Sequence, residues 1–467
     1  MLQNKIISSL LWSLVKNWGG RLTSLLVFML LTRLLDARAI GAVAFVSAAI
    51  AILVALTEMG LAEYLIYVDD SDRSRNQIFW FQLFLAAGVA VLACLGGPAL
   101  LRAMGQADAA TVAPYLALIL PLAALSAVQD ALQRRQLNFK SIAVRSLCGM
   151  LAGAVVGVGL ALAGAGMWSL VFKQLTETTV MTALLWRSSD WRPKWGAGWE
   201  GFTKIFHYGR YMVGSRVCDM LFANIDDLLV GSLIGQAELG LYSIGKKLYL
   251  ISSELLNGIA AQVAGPIFYQ AKGDKALLSS MFIGAIRYCA WLVVPFYSAL
   301  YLFAPQVVQL MFGARWDGSA PILQYFCIVG VLFPLHQFNW SMVMLKADAT
   351  STFYYAVLRN LSGAALMVVT IHLGMFIFIM SQAARAIISM LLGWYLIRGV
   401  VEFSVRQVAL ALVPGVVTAA LAVLAYLGMK GHVSADVRGT LLHMAVVGVM
   451  IGLSYLWMVR SFRTLRK

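Results

Sequence analysis

The stretch AIGAVAFVSAAIAILVALTEMG, residues 39–60, is apolar over the length that an α-helix needs to cross a lipid bilayer. Stretches of the same kind recur along the whole chain, with only short loops between them. The 467 residues are 61% hydrophobic and 12% charged, and the mean hydropathy is +0.81. Soluble domains carry about twice that share of charged residues. The composition therefore predicts an integral membrane protein.

Fourteen stretches have membrane-spanning length, and their apolar runs are long and continuous. They are roughly residues 9–32, 39–60, 78–99, 113–132, 142–162, 166–186, 207–233, 238–266, 277–303, 320–344, 350–371, 374–397, 407–428 and 439–459. We therefore predict an all-α polytopic membrane protein with about fourteen transmembrane helices. Its loops are too short to hold a soluble catalytic domain.

The basic residues outside these spans lie mostly on one side of the predicted membrane. Of the 36 Lys and Arg residues, nineteen fall in the termini and loops of one side, six in the opposite loops and eleven within the spans. Loops rich in Lys and Arg face the cytoplasm, so both termini are predicted to be cytoplasmic. The net charge of +15 is then a consequence of topology, and no nucleic-acid partner is expected. Lys16 and Arg21 interrupt the first span, so no cleavable signal peptide is expected there.

The eleven basic residues within the spans are in an unusual position for a charge. A lone cation at mid-bilayer costs about 3 kcal/mol, and such residues normally face a bundle interior or a wet cavity. About seven acids share the spans, with Glu58 and Asp130 near span ends, so positive charge is in excess. We therefore predict a cationic cavity for an anionic ligand. The basic residues are Lys16, Arg21, Arg145, Lys173, Arg210, Arg216, Lys246, Lys247, Arg287, Arg359 and Arg385.

Polar residues recur on single helical faces in several spans. In the first span, Asn17, Arg21 and Ser24 follow one another at intervals of four and three. In the sixth span, Lys173 and Glu177 are four residues apart, a spacing at which side chains pair on a helix. Two further faces carry Arg216, Asp219, Asp226 and Asp227 in the seventh span and Ser243, Lys247, Glu254 and Asn257 in the eighth. The alternative interpretation is that such groups form ion pairs that hold helices together.

A weak internal repeat indicates how the chain is organised. Residues 33–41, RLLDARAIG, and residues 232–240, SLIGQAELG, each join a span end to a glycine that opens the next helix. Transporter folds are often built from such repeats, with the substrate held where they meet. We predict two pseudo-symmetric six-helix lobes and an appended helix pair. The segments are an N-lobe at 1–186, a cytoplasmic linker at 187–206, a C-lobe at 207–397, and helices 13 and 14 with a basic tail at 398–467.

Three smaller features have local explanations. Gly149, Gly153 and Gly157 are spaced by four and predict close packing against a neighbouring helix. Residues 240–247, GLYSIGKK, resemble a phosphate-binding loop but lack its final Ser or Thr and a preceding strand. The five cysteines all fall within spans without paired spacing, so we expect neither a disulfide framework nor a metal site. No nucleophile–base set stands out, and the sequence argues against an enzyme and requires no cofactor.

Two stretches resemble a known family. Residues 31–45, LTRLLDARAIGAVAF, followed by EMGL at 58–61, look like the N-terminal signature of bacterial polysaccharide-transport flippases. Residues 226–235, DDLLVGSLIG, with GLYS at 240–243 and Gly265-Pro266, are similar to the C-lobe of the same family. These proteins belong to the MOP exporter superfamily and include the Wzx-type flippases of O-antigen and exopolysaccharide synthesis.

The resemblance implies two lobes that alternate in access to a V-shaped central cavity in the bacterial inner membrane. The implied cargo is an undecaprenyl-pyrophosphate-linked oligosaccharide, flipped for synthesis of exopolysaccharide, capsule or O-antigen, with a polymerase and a chain-length regulator as further partners. Arg and Lys hold a pyrophosphate by charge-assisted hydrogen bonds. The residues predicted to do so are Arg21, Arg216 and Lys247, then Lys246, Arg145, Lys173, Arg210 and Arg287.

The resemblance also implies that transport is coupled to a proton or sodium gradient. The acids predicted to respond to that gradient are Asp219, Asp226, Asp227, Glu254 and Glu177. Two relatives of the same superfamily remain as alternatives: a flippase of peptidoglycan lipid precursors and a cation-coupled exporter of small molecules, although the latter favours an acidic cavity. A membrane polysaccharide polymerase or ligase is the alternative from another class. It would be expected to have a long external loop, and the longest here is residues 306–320.

Overall fold

The computed structural model describes residues 19–68, 71–196, 198, 200–271, 273–345, 349–429, 445–449 and 451–455. Within these ranges, the side chains of residues 63, 210–212, 215, 257–267, 270, 340, 344–345, 349–354 and 356 lie outside the description. The described residues are helical with short connections, and they include no strand. The chain folds into two compact units, Met1–Ser243 and Ile244–Lys467.

The first unit consists of nine helices in its described part, together with the start of a tenth. They are α1 (residues 19–34), α2 (Ala37–Glu58), α3 (Leu61–Tyr67), α4 (Asp72–Ala103), α5 (Ala107–Ala117), α6 (Ile119–Arg135), α7 (Phe139–Leu162), α8 (Trp168–Ser188) and α9 (Phe202–Leu229). A π-helical turn, Val230–Ile234, then leads into α10 (Gln236–Gln270), which runs on into the second unit.

Helix α2 has defined local signals at both ends. The Asp36 side chain caps its start by accepting a hydrogen bond from the backbone N–H of Ala39 at 2.8 Å. At its end, Met59 and Gly60 have φ angles of 50° and 64°, the left-handed conformation that stops a helix. The buried Gln82 side chain of α4 then donates to the Glu58 carbonyl at 2.6 Å. These contacts hold the end of α2, and Glu58 with it, against α4.

The two glycines of the internal repeat lie against each other's helices. A Cβ at Gly41 would overlap the carbonyl oxygen of Gln236, and a Cβ at Gly240 would overlap that of Ala37. Gly41 is the fifth residue of α2 and Gly240 is the fifth residue of α10, and the partners Ala37 and Gln236 open those helices. The contact is therefore reciprocal, as in an isologous interface where each partner presents the same patch. Only glycine lets the two backbones approach so closely.

The glycine ridge of α7 packs on α8 as predicted. A Cβ at Gly149 would overlap the Met181 side chain, and one at Gly153 would lie 2.7 Å from the Lys173 carbonyl oxygen. A Cβ at Gly157 would lie 2.8 Å from the Lys173 Cβ. The prediction of close helix packing is confirmed.

The loop between α8 and α9 is fastened to the start of α4. Gln77 donates through Nε2 to the carbonyl oxygens of Gly198 and Glu200 at 2.7 and 3.1 Å, and Trp80 donates through Nε1 to that of Lys194 at 3.0 Å. The Trp80 and Trp195 rings meet edge to face with centroids 4.3 Å apart. This part of the predicted linker therefore belongs structurally to the first unit.

The second unit continues α10 with helices around a core that contains Phe282, Phe338 and Ile397. The helices are α11 (Lys275–Leu302), α12 (Ala304–Phe312), α13 (Ser319–Val331), α14 (Phe333–His336), α15 (Asn339–Leu345), α16 (Ala349–Thr370), α17 (Met375–Ile397) and α18 (Val405–Met429). Residues 445–449 and 451–455 are also helical. Pro334 lies where the predicted tenth span divides into short helices, which fits the break that a proline causes within a helix.

Comparison with the sequence analysis confirms the fold class. Eight helical stretches of the described residues are long and apolar enough to cross a membrane, and two of them, Ala107–Arg135 and Ser319–Val343, run over consecutive helices. The all-α polytopic architecture is therefore confirmed, while the number of fourteen spans stays a prediction. The lobe boundaries at residues 186, 207 and 397 also stay predictions, and the basic tail lies outside the described residues.

The reciprocal glycine contact can be tested by adding one methyl group. Gly41→Ala and Gly240→Ala should each lower the free energy of unfolding by about 1–3 kcal/mol, because the added carbon is forced against backbone atoms. The matched control is Gly88→Ala in α4, where nothing lies within 4 Å of the added carbon. Thermal unfolding of the purified variants in detergent measures the difference. Equal unfolding temperatures for all three variants would contradict the close crossing.

Candidate functional site

A cavity of about 330 Å³ lies within the first unit, where several helix ends meet. We call it the first-unit cavity. The C-terminal ends of α2, α6 and α8, the first turns of α7, and the middle of α9 contribute to its wall. The loops that follow α2, α6 and α8 are those that the Lys and Arg distribution assigns to the cytoplasm. Its charged lining residues are Glu58, Asp130, Arg134, Arg145 and Arg216.

Asp130 is the centre of one charged cluster in this cavity. Its Oδ1 accepts a hydrogen bond from Arg145 Nη2, and its Oδ2 accepts one from Arg134 Nε at 2.6 Å. Arg145 also donates through Nη1 to Gln133 Oε1 at 3.1 Å. The Arg145 side chain is only 7% exposed, against 23% for Asp130. One carboxylate is therefore shared by two guanidiniums, which leaves one net positive charge on the cluster, and Arg145 is held by both a charged and a neutral acceptor.

Glu58 and Arg216 form the second charged pair of the cavity. Their closest atoms, Glu58 Oε2 and Arg216 Nη1, are 3.6 Å apart, and each side chain is about one third exposed. The packing of α9 explains why Arg216 lies near Glu58. Gly209 of α9 lies against Leu61, and Arg216 follows seven residues later on the same face of α9. At this distance the pair is an ion pair without a short hydrogen bond.

Neutral groups complete the wall. Hydroxyl groups come from α6, α7 and α8, and Ser126 shares a 2.8 Å hydrogen bond with Thr182 between α6 and α8. Ala127, Ile142 and Leu185 are among the apolar contributors. With three guanidiniums and two carboxylates, the described lining carries one net positive charge. A small space with charged groups on a partly apolar wall suits an anionic group attached to an apolar or neutral body.

Of the eight residues predicted to bind a pyrophosphate, Arg145 and Arg216 line this cavity. Lys173 instead pairs with Glu177 at 3.1 Å on α8, which confirms the predicted pairing of these two residues. Arg21 is half-buried on α1, and Lys246 and Lys247 are half-buried on α10 in the second unit. The side chain of Arg210 lies outside the described residues.

Arg287 belongs to the second unit, where its exposed side chain lines a separate cavity of about 420 Å³. Ser280, Glu402 and Gln407 also line this second cavity. Glu402 is fixed there because its backbone N–H donates to Ser279 Oγ at 2.8 Å.

The acids predicted for ion coupling lie elsewhere. Asp226 is buried and accepts a hydrogen bond from Tyr242 Oη at 2.7 Å. Asp227 is half-buried, and Asp219 and Glu254 are exposed. Among the described side chains that line the first-unit cavity, none belongs to the five acids predicted for coupling. The assignment of these acids stays a prediction.

No sequence pattern indicates a site role for Arg134, Asp130 or Glu58. By sequence, Arg134 falls in a cytoplasmic loop, and the two acids lie near span ends. The spacing of Asp130 and Arg134, four residues apart on one helix, was a usable signal for their pairing. The contact of Asp130 with Arg145 had no such signal, because it crosses between two helices.

The fold recurs among membrane transport proteins of known structure. The structure of the lipid II flippase MurJ in an inward closed conformation matches with a TM-score of 0.79 and 11% identity, over 98% of this chain and 100% of that chain. An inward-facing multidrug resistance MATE family transporter of the MOP superfamily matches with a TM-score of 0.66 and 16% identity, over 82% and 95%. At these identities the likeness is one of fold. The chain is a multi-pass membrane protein with the same fold as these two proteins.

Sequence comparison identifies the family. Residues 30–321 match the model of the polysaccharide biosynthesis protein family, and the chain belongs to that family. The teichuronic acid biosynthesis protein TuaB of Bacillus subtilis (strain 168) is 23% identical over 375 residues, which are 79% of this chain and 77% of that protein. The resemblance to polysaccharide-transport proteins found in the sequence is thereby confirmed.

Two further relatives have similar coverage. The succinoglycan biosynthesis transport protein ExoT of Rhizobium meliloti (strain 1021) is 23% identical over 329 residues, 70% of this chain and 67% of that protein. The lipopolysaccharide biosynthesis protein WzxC of Escherichia coli (strain K12) is 22% identical over 366 residues, 77% of this chain and 74% of that protein.

The Asp130 cluster predicts a large stability cost for Arg145→Ala. Removing the guanidinium leaves Gln133 Oε1 without the donor Arg145 and Asp130 with Arg134 alone. The free energy of unfolding should therefore fall by about 3 kcal/mol, which is at the low end of the range for breaking a buried ion pair. Arg102→Ala, at an exposed position of α4, is the control and should change the free energy of unfolding by less than about 0.5 kcal/mol. Thermal unfolding in detergent compares the two. If Arg145→Ala lowers the free energy of unfolding no more than Arg102→Ala does, the Asp130 cluster is refuted.

Proposed function

We propose that this chain flips an undecaprenyl-pyrophosphate-linked oligosaccharide across the bacterial inner membrane, for synthesis of a surface polysaccharide such as exopolysaccharide, capsule or O-antigen. Family membership and the three polysaccharide relatives support the choice of pathway. The transporter fold supports movement of the cargo by alternating access, without a chemical reaction. A polymerase and a chain-length regulator are the proposed partners that use the flipped product.

The first-unit cavity is the observation that carries the proposal. It combines three guanidiniums with a net positive charge, at helix ends that the loop charges assign to the cytoplasm. A pyrophosphate has several charged oxygens, and planar guanidiniums bind such oxygens in pairs. We propose that Arg145 and Arg216 receive the pyrophosphate from the cytoplasmic leaflet, with both chain termini on that side.

The remaining predicted cations are proposed to act along the path of the cargo. Arg21 and Lys247 lie on polar faces of their helices, and both are half-buried. The driving force is proposed to be a proton or sodium gradient, with Asp219, Asp226, Asp227, Glu254 and Glu177 as the candidate coupling acids.

A flippase of peptidoglycan precursors is the second candidate, because the fold likeness to MurJ extends over nearly the whole chain. Its cargo would present the same lipid-linked pyrophosphate to the cavity. The names of the sequence relatives favour surface polysaccharide. The net positive cavity disfavours the third candidate, an exporter of cationic small molecules.

The proposal predicts that Arg216→Ala, Arg21→Ala and Lys247→Ala each abolish surface polysaccharide in a flippase-deficient strain. The expected reason is the loss of a charge-assisted contact to the pyrophosphate while the protein remains in the membrane. Polysaccharide is measured on the cell surface and the amount of each variant in isolated membranes. Arg102→Ala is the control and should support normal synthesis. Normal polymer from all three cavity and path variants would refute the assignment.

A further inference from the structure

The first-unit cavity contains two carboxylates that a simple anion site would not need. Glu58 lies near Arg216, and Asp130 is bonded to Arg134 and Arg145. Each carboxylate reduces the attraction of the cavity for an anion. Their presence beside the very groups that would bind a pyrophosphate requires a physical explanation.

The composition of the surrounding membrane provides an explanation for the two carboxylates. Cytoplasmic leaflets contain anionic phospholipids, whose headgroup phosphodiesters each carry a single negative charge and attract basic groups near the surface. An open set of guanidiniums at this depth would attract these abundant lipids. In the structure the same guanidiniums are engaged by carboxylates, so an entering phosphate must first displace a counter-anion that is already present.

We propose that Asp130 and Glu58 are specificity-determining residues, which act as built-in counter-anions that exclude singly charged phospholipid headgroups and admit a lipid-linked diphosphate. This inference rests on the proposed function, since it assigns the diphosphate to the first-unit cavity. It adds two acidic residues outside both predicted sets, and it gives them a role in choosing the ligand.

The exchange is unfavourable for a single phosphodiester. It replaces one oxyanion on a guanidinium by another and leaves a carboxylate with fewer partners, which is costly in a partly buried space. A diphosphate carries two charges on one molecule. It can engage Arg145 and Arg216 together, and the second contact forms at a high effective concentration once the first is made.

The geometry of Asp130 makes this exchange possible without leaving a bare charge. Its two oxygens are bonded to different guanidiniums, Oδ1 to Arg145 and Oδ2 to Arg134. When Arg145 turns to a ligand, Asp130 keeps its 2.6 Å hydrogen bond from Arg134. Glu58 and Arg216 are separated by 3.6 Å and are both partly exposed, so this pair opens at a smaller cost.

The test uses the full-length protein in lipid nanodiscs and farnesyl diphosphate as the probe. Binding is measured in discs of phosphatidylcholine and in discs where phosphatidylglycerol replaces part of it. The Asp130→Asn/Glu58→Gln variant should bind the probe about tenfold more tightly than wild type in phosphatidylcholine, because neither carboxylate then competes with the ligand for the guanidiniums. On adding phosphatidylglycerol, its affinity should fall about tenfold more than that of wild type.

Two further variants make the result interpretable. Asp108→Asn removes the partner of Arg38 in an ion pair outside the cavity. Its affinity for the probe should respond to phosphatidylglycerol as that of wild type does. This control corrects for the surface potential of the disc. Glu58→Gln alone changes the more exposed pair. It should bind the probe about threefold more tightly than wild type and lose about threefold more affinity on adding phosphatidylglycerol, even where the double variant is poorly folded.

The outcomes separate the two proposals. In one outcome, wild-type protein binds farnesyl diphosphate, and the double variant and Glu58→Gln respond to phosphatidylglycerol as wild type does. That outcome would overturn the counter-anion role and leave the proposed function standing. Wild-type protein that does not bind the probe in phosphatidylcholine, or binds it unchanged after Arg216→Ala, would overturn the diphosphate site itself.

Discussion

The crossing of α2 and α10 at Gly41 and Gly240 is the constraint on which the first unit depends. In lipid, apolar side chains gain little by leaving the solvent, so helices associate through close packing of small residues. The crossing fixes the start of α2, and the hydrogen bond from Gln82 fixes its end. Because α9 packs beside α3 at Gly209, Arg216 is brought to Glu58. The meeting of Arg216 and Glu58 thus follows from contacts that contain no charge.

Charges within the membrane are arranged locally in this protein. Lys173 is neutralised by Glu177 on its own helix, and the Arg359 guanidinium lies over the Tyr355 ring, with 5.8 Å to its centroid. Arg145 and Arg216 are the two of the eleven predicted span cations that line the first-unit cavity among the described side chains. A cation in a medium of low dielectric constant requires a partner nearby, so most of these groups are engaged wherever their helix places them. The cavity is distinctive because three guanidiniums share only two carboxylates there.

Several features of the first unit could be predicted from spacing alone. The small residues of α7 at intervals of four predicted its packing on α8, and the i,i+4 spacing of Lys173 and Glu177 predicted their ion pair. These predictions succeeded because they depend on one helix at a time, where the chain itself sets the distance between residues.

The amino-acid sequence by itself determined the membrane class, the helical architecture, the repeat and the excess of buried positive charge, since each follows from composition and periodicity. Only the tertiary structure decided that Arg145 is bonded to Asp130 and Gln133, that Arg216 meets Glu58, and that Arg134 joins them. Contacts between helices depend on the rotation and depth of each helix relative to its neighbours. Those quantities are set by packing over many residues, and no single spacing in the sequence records them.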